Sequence, residues 1–282
     1  MTLNDAQQEI RANVVAALSR PHASNQEAVA ALGLHPGLRI LDAGCGPGLH
    51  LGLFRDAVAP GGTVTGVDLD ADSVAVAADL WAAEIAAGAI RVEVGDVTAL
   101  PFAADSFDLA WTSFVLHHVP DPEAALRELV RIVAPGGRIA VHEADVGISF
   151  PAAPWPPELE NRLRAAVFRA ARDGYGGTLP YHYDPFFARH LPGLLRATGL
   201  RDVTLRAIPA VQLGPLPADE ATELRSWFRE WFDGRLRPYL APRDHAALHA
   251  LLDPDNPADL LADPGFFLSR TWLLATGIVT GD

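Results

Sequence analysis

The chain reads as an α/β protein built on a doubly wound, mostly parallel sheet. Short apolar runs alternate with helical stretches between residues 38 and 142, a glycine-rich loop follows the first run, and successive runs end on an acidic residue. Residues 5–19 and 24–32 read as Ala-rich amphipathic helices, the second capped by Ser24 or Asn25. His35-Pro36-Gly37 turns the chain into a first strand over 38–41, and residues 49–57 form the next helix. Pro60-Gly61-Gly62 introduces a strand over 63–67, and Asp70 caps a helix expected to run from about 71 to 87. Strands over 90–94 and 107–111 follow. Asp121-Pro122 opens a helix reaching Val133, and Pro135-Gly136-Gly137 stops it before a fifth strand over 138–142. Such alternation covers a sheet on both faces and places ligands at the carboxyl ends of its strands.

Beyond residue 146 the regularity breaks. Residues 150–200 are rich in Pro and aromatic residues, 203–207 reads as a sixth strand, 218–252 as helical and 267–279 as a last strand. The expected organisation is N-terminal helices (1–35) forming part of a cap and a ligand-binding core (36–146). A cap insertion (147–200), a core strand (201–214), a second cap insertion (215–265) and a final core strand (266–282) complete it.

Composition excludes several classes. With 282 residues, 49% of them hydrophobic, the chain is long enough to bury a large core. No apolar run reaches membrane-span length, and Met1-Thr2-Leu3-Asn4-Asp5 lacks the basic-then-apolar pattern of a leader, so a cytoplasmic protein without membrane contact is expected. A single cysteine, Cys45, rules out an internal disulfide and a Cys-cluster zinc site, and no metal is expected. All 22 basic residues are Arg, which excludes lysine bases and Schiff-base chemistry. The net charge of −13 argues against a protein that tracks nucleic-acid phosphates.

The loop Asp42-Ala43-Gly44-Cys45-Gly46-Pro47-Gly48 carries the most information. Its glycines fall at 44, 46 and 48, whereas the dinucleotide fingerprint needs a glycine where Leu49 stands. Gly permits sharp turns and close approach of a ligand, and the loop is expected to offer backbone N–H groups at a helix N-terminus. Asp42 suits a cationic ligand better than a pyrophosphate. Asp68, followed by Leu69, closes the second strand, where a carboxylate takes both hydroxyls of a ribose. Asp96 closes the third and is placed to accept from an exocyclic amine. Each acid alone also reads as a helix cap or turn residue.

Together, Leu41-Asp42-Ala43-Gly44-Cys45-Gly46-Pro47-Gly48, Gly66-Val67-Asp68, Gly95-Asp96-Val97 with Leu100-Pro101-Phe102, Phe107-Asp108-Leu109, Leu116-His117-His118-Val119-Pro120-Asp121 and Pro135-Gly136-Gly137 resemble the class I S-adenosylmethionine (SAM)-dependent methyltransferases, close to the ubiquinone/menaquinone-biosynthesis type. The resemblance is tight over 37–146. It implies a Rossmann-like, seven-stranded sheet with the last strand antiparallel, and SAM, or its product S-adenosylhomocysteine, across the strand ends. By that similarity Asp42, Gly44, Cys45, Gly46 and Gly48 would face the methionine and ribose moieties. Asp68 with Leu69 would bind the ribose, Asp96 with Val97 the adenine, and Thr112 and His117 the region of the methionine amino group.

Candidate bases are His182, His142 and His117. His117 reads more readily as part of the turn after the fourth strand, whereas His142, at the end of the fifth, suits a base and a structural residue equally. Candidate acceptor-pocket residues are Tyr175, Tyr181, Tyr183, Trp227 and Trp231; Leu224, Trp227, Phe228, Trp231 and Phe232 form a helical apolar stripe that also suits a core or a subunit interface. The expected activity is methylation of an O, N or C atom of a small apolar or aromatic, secondary-type metabolite. A SAM-fold catalyst of a cyclisation or rearrangement is the alternative. A homo-oligomer is left open.

Overall fold

The computed structural model describes residues 3–19, 23–177 and 182–281. Among these, seven strands form one sheet in the order β3-β2-β1-β4-β5-β7-β6: β1 Arg39–Ala43, β2 Thr63–Asp68, β3 Ile90–Val94, β4 Phe107–Ser113, β5 Val133–Glu143, β6 Arg201–Leu213 and β7 Phe267–Ile278. Strands β1 to β5 pair in parallel, and β7 runs antiparallel to β5. The order reverses at β1, which lies between β2 and β4, so the ends of β1 and β4 flank the switch point where such sheets take their ligands.

Helices α1 Asp5–Ser19, α2 Ala23–Ala30, α3 Leu51–Val58, α4 Ala71–Leu80, α5 Ala82–Ala86 and α6 Pro122–Ile132 connect the first strands. Local chemistry fixes the starts of α4 and α6. Asp70 accepts from the amides of Asp72 and Ser73, and Asp121 from that of Ala124 with Pro122 in the first turn. In α6, Ala125, Leu126, Leu129 and Ile132 form the buried stripe. The helix expected over 71–87 breaks at Trp81, whose backbone leaves helical geometry (φ −106°, ψ 23°) while its indole N–H donates to the Gly48 carbonyl at 3.0 Å. An interaction with the glycine loop thus outweighs helix propensity.

Strand alternation sorts the core into two layers. Leu41, Ala43, Ala110, Ile139, Val141, Leu273 and Ala275 pack with α6 and with Leu191 and Leu195 on one face. Ile40, Leu109, Trp111, Ala140 and Leu274 pack with α3 on the other.

The chain divides into two compact units. The first comprises Met1–Glu143, Phe187–Ile208 and Leu273–Asp282; the second comprises Ala144–Phe186 and Pro209–Trp272. Two expected boundaries therefore differ. The N-terminal helices group with the sheet, not with a cap, and residues 187–200 leave the expected 147–200 insertion to join the sheet unit, because Phe187, Leu191, Leu195 and Leu200 are buried in its core. The helices after β5 are α7 Pro157–Arg172, α8 Leu191–Ala197, α9 Ala218–Arg229 and α10 Pro242–Leu251, with a π-helical turn over Glu230–Arg235. The second unit has its own core, centred on Trp155, Leu163, Phe228, Phe232 and Leu268. No helix among the described residues is long and apolar enough to cross a membrane.

Candidate cofactor and active site

Strand β1 delivers Asp42, one residue before its end, into the interior of the first unit. Asp42 is 1% exposed, and neither of its carboxylate oxygens has a hydrogen-bond partner among the described residues. Burial, with a smaller push from the Asp68 carboxylate, drives its pKa up to about 8. An isolated buried carboxyl of this kind is costly unless a counter-charge or donor arrives.

On the same sheet face lie Trp111 and His142, with His50 from the start of α3. His50 and Trp111 ring centroids are 5.5 Å apart, and those of Trp111 and His142 5.6 Å apart in a stack. The Trp111 indole nitrogen and His50 Nε2 are buried without partners among the described residues. Burial holds His50 at a pKa of about 4 and His142 at about 3, so both imidazoles are neutral at pH 7. His142 is fully buried, with Nδ1 3.1 Å from the Ser113 hydroxyl. His50 carries no sequence motif; only its contact with Trp111 brings it into the site.

The loop after β1 departs from expectation. Its amides are consumed within the protein: Gly44 and Cys45 donate to the Val67 carbonyl, Gly46 to Asp68 Oδ2 at 2.7 Å, and Gly48 to the Cys45 carbonyl. These amides are therefore not aimed at an anion, and α3 starts at Leu51, two residues later than predicted. Gly44 (φ +78°) would place a Cβ 2.2 Å from the Val115 side chain. A Cβ on Gly46 (φ +51°) would meet nothing within 4 Å, so that position borders open space. Cys45 is buried against Gly66, and its thiol pKa is pushed up by burial, which fits packing and not nucleophilic chemistry.

The remaining cofactor candidates also sit at strand ends. Asp68 uses Oδ1 to accept from the Asp70 amide, while Leu69 beside it is 72% exposed. Asp96 is exposed and folds a turn by accepting from the Thr98 amide and hydroxyl at 2.8 and 2.7 Å; Val97 is buried. Thr112, on the opposite face of β4 from Trp111, is fully buried with its hydroxyl unpartnered among the described residues. His117, in a 3-10 turn over Leu116–His118, places Nδ1 2.5 Å from Glu143 Oε2. The other oxygen of Glu143 accepts from the amides of Val115 and Leu116. Glu143, one residue beyond the strand expected over 138–142, carries no signal in the sequence that marks this role.

Asp42, the glycine loop, Asp68, Thr112, His117 and His142 are thus all in the first unit. His182 is exposed and lies in the second. There Tyr175, itself buried at φ +53°, has Tyr183 5.8 Å away, and Trp227 stacks on Trp231 at 5.5 Å, all against that unit's core. Tyr181 lies outside the described residues.

A family model described as "Methyltransferase domain" matches residues 41–141. Nocamycin O-methyltransferase of Saccharothrix syringae is 32% identical over 81% of this chain and 81% of its own length. A demethylmenaquinone methyltransferase of Mycolicibacterium paratuberculosis is 38% identical over 46% of this chain. The chain spans 32–52% of the length of the curated relatives that it matches over shorter stretches, this one among them. Among solved structures, geranyl diphosphate methyltransferase in complex with SAM aligns over 96% of this chain and 90% of its own (TM-score 0.55, 17% identity). The [4+2]-cyclase SpnF aligns over 91% and 81% (TM-score 0.54, 21% identity). At these identities the structural likenesses carry the fold alone.

Proposed function

This chain belongs to the class I SAM-dependent methyltransferases, and on that premise we propose that it transfers a methyl group from SAM to an O, N or C atom of a small apolar or aromatic metabolite. The observation that carries the proposal is Asp42: a buried carboxyl without a partner, at the switch point of the sheet, beside open space at Gly46. Such a group fits a ligand bearing an ammonium and a sulfonium. It does not fit a pyrophosphate, and the internally bonded loop amides point the same way.

When bound, SAM supplies an electrophilic methyl group whose transfer needs in-line geometry in a dry pocket. The residues provide the rest. Asp42 holds positive charge, and Thr112 offers a buried hydroxyl toward the methionine end. Asp68 keeps the loop in place through Gly46 and turns its remaining acceptor capacity to the ribose; Asp96 and Val97 frame the base. Trp111, His50 and His142 exclude water beneath the site. Of the three candidate bases, His117 has the arrangement a base needs, a ring oriented by a buried carboxylate. His142, neutral and enclosed, serves packing. Tyr175, Tyr181, Tyr183, Trp227 and Trp231 remain proposed aromatic contacts for the acceptor, and His182 a second proposed base.

The single cysteine and acidic balance support a cytoplasmic enzyme without nucleic-acid partners, and the likeness to nocamycin O-methyltransferase supports a role in secondary metabolism. The test is incubation with methyl-labelled SAM and a panel of phenols, amines and enolisable ketones. Label in an acceptor with matching S-adenosylhomocysteine supports the proposal; conversion of an acceptor without S-adenosylhomocysteine overturns it in favour of a rearrangement.

A further inference from the structure

In the second unit, outside the residues that would hold the cofactor, three ligand-type side chains converge. His245 and His249 stand four residues apart on α10 and so share one face. Asp233 comes from the π-helical turn over Glu230–Arg235. The Nε2 atoms of His245 and His249 lie 2.6 and 2.9 Å from the same carboxylate oxygen, Asp233 Oδ1, and the two rings are 4.5 Å apart between centroids. The three ligand atoms all fall within 4.8 Å of one another.

The geometry points to a divalent transition-metal site, zinc or a chemically similar ion, held by Asp233, His245 and His249. Two imidazoles four residues apart on a helix, completed by a carboxylate from elsewhere, form a ligand set suited to zinc. Ligands about 2.0–2.1 Å from a tetrahedral ion lie about 3.3 Å from one another. The observed N···O separations need only slight widening to reach that value. Without an ion, both rings must direct their Nε2 at one carboxylate oxygen; with it, the metal takes Nε2 and the ring proton resides on Nδ1.

The π-turn is the second observation. One residue too many per turn is unfavourable and recurs at functional sites. Here it lies between the buried Phe228 and Leu236, and it carries the only carboxylate ligand of the cluster. Arg237 places Nη1 3.5 Å from His245 Nε2, and Arg229 lines the same pocket as Asp233 and His249; Arg237 is exposed, so its side chain can swing aside. The partial exposure of all three ligands leaves the fourth coordination position to water. The site would clamp α10 to the π-turn.

The experiment uses the full chain, free of any polyhistidine tag, titrated with Zn2+ by calorimetry and with Co2+ by visible absorption. The expected result is one ion per chain, a Co2+ ligand-field band, and affinity lowered by about tenfold or more in His249→Asn and in Asp233→Asn. The distant control His35→Asn should bind as the natural chain does. A Zn2+-dependent rise in melting temperature, absent from the two ligand variants, is the independent readout. Equal Zn2+ affinity in all four proteins, or no binding by the natural chain, overturns the assignment.

Discussion

His117 Nδ1 and Glu143 Oε2 meet at 2.5 Å in the interior of the sheet unit, joining the turn after β4 to the end of β5. Glu143 has no exposure and accepts three hydrogen bonds from that turn. Orphaning a buried donor costs about 1–3 kcal/mol. Glu143→Ala should therefore lower stability by about 3 kcal/mol or more in urea unfolding, and Glu143→Gln, which keeps an acceptor, by clearly less. An alanine variant as stable as the natural chain contradicts this role.

The glycines of the loop should separate by phenotype. Gly44→Ala meets Val115 at 2.2 Å and is strained at φ +78°, so it should destabilise by about 2 kcal/mol or more. Gly46→Ala has room, and only its backbone costs about 1 kcal/mol; its methyl group enters the space assigned to the ligand. Thermal melts should show the larger loss for Gly44→Ala, and calorimetry the larger loss of S-adenosylhomocysteine affinity for Gly46→Ala. The reverse pattern contradicts the assignment.

The buried titrating groups set a pH signature in the ligand-free protein. His50 and His142, with pKa values lowered from 6.5 to about 4 and about 3, contribute stability that is present above 6.5 and lost as pH falls toward those values. Asp42, raised from 3.8 to about 8, works oppositely: its contribution is fully present below about 4 and is lost as pH rises to about 8. Between 4 and 6.5 the two histidines outweigh Asp42, and above 6.5 Asp42 acts alone. Stability should peak near pH 6.5 and then decline by about 1.4 kcal/mol per pH unit up to pH 8. Asp42→Asn should abolish the decline. A natural chain whose stability is flat from pH 6.5 to 8 refutes the burial of an isolated carboxyl.

A cationic ligand beside Asp42 should restore its charge, so binding near pH 7 should release about one proton. Calorimetry in buffers of different ionisation enthalpy measures this number directly. Zero protons released, or a release that survives in Asp42→Asn, counts against the contact.

The parallel core was legible because β1, β2 and β4 are short apolar runs with turn residues on both sides, and their ends announce Asp42 and Asp68. Sequence reading missed features that depend on chain separation. Trp81 breaks a helix because it reaches Gly48, 33 residues away. His50 matters through Trp111, and Glu143 through residues 115–117. The loop amides looked available since their acceptor, the Val67 carbonyl, belongs to the next strand. Two histidines on α10 form no recognisable spacing with Asp233 until the π-turn brings it alongside.

The most direct test is calorimetric titration of S-adenosylhomocysteine into the natural chain, Asp68→Ala and Asp96→Ala, with circular dichroism to verify the fold of each. The account predicts one site per chain and an affinity lower by about tenfold to a hundredfold in each variant, the value of a charge-assisted hydrogen bond. Equal affinity in all three folded proteins, or no binding by the natural chain, contradicts a cofactor held by the strand-end carboxylates.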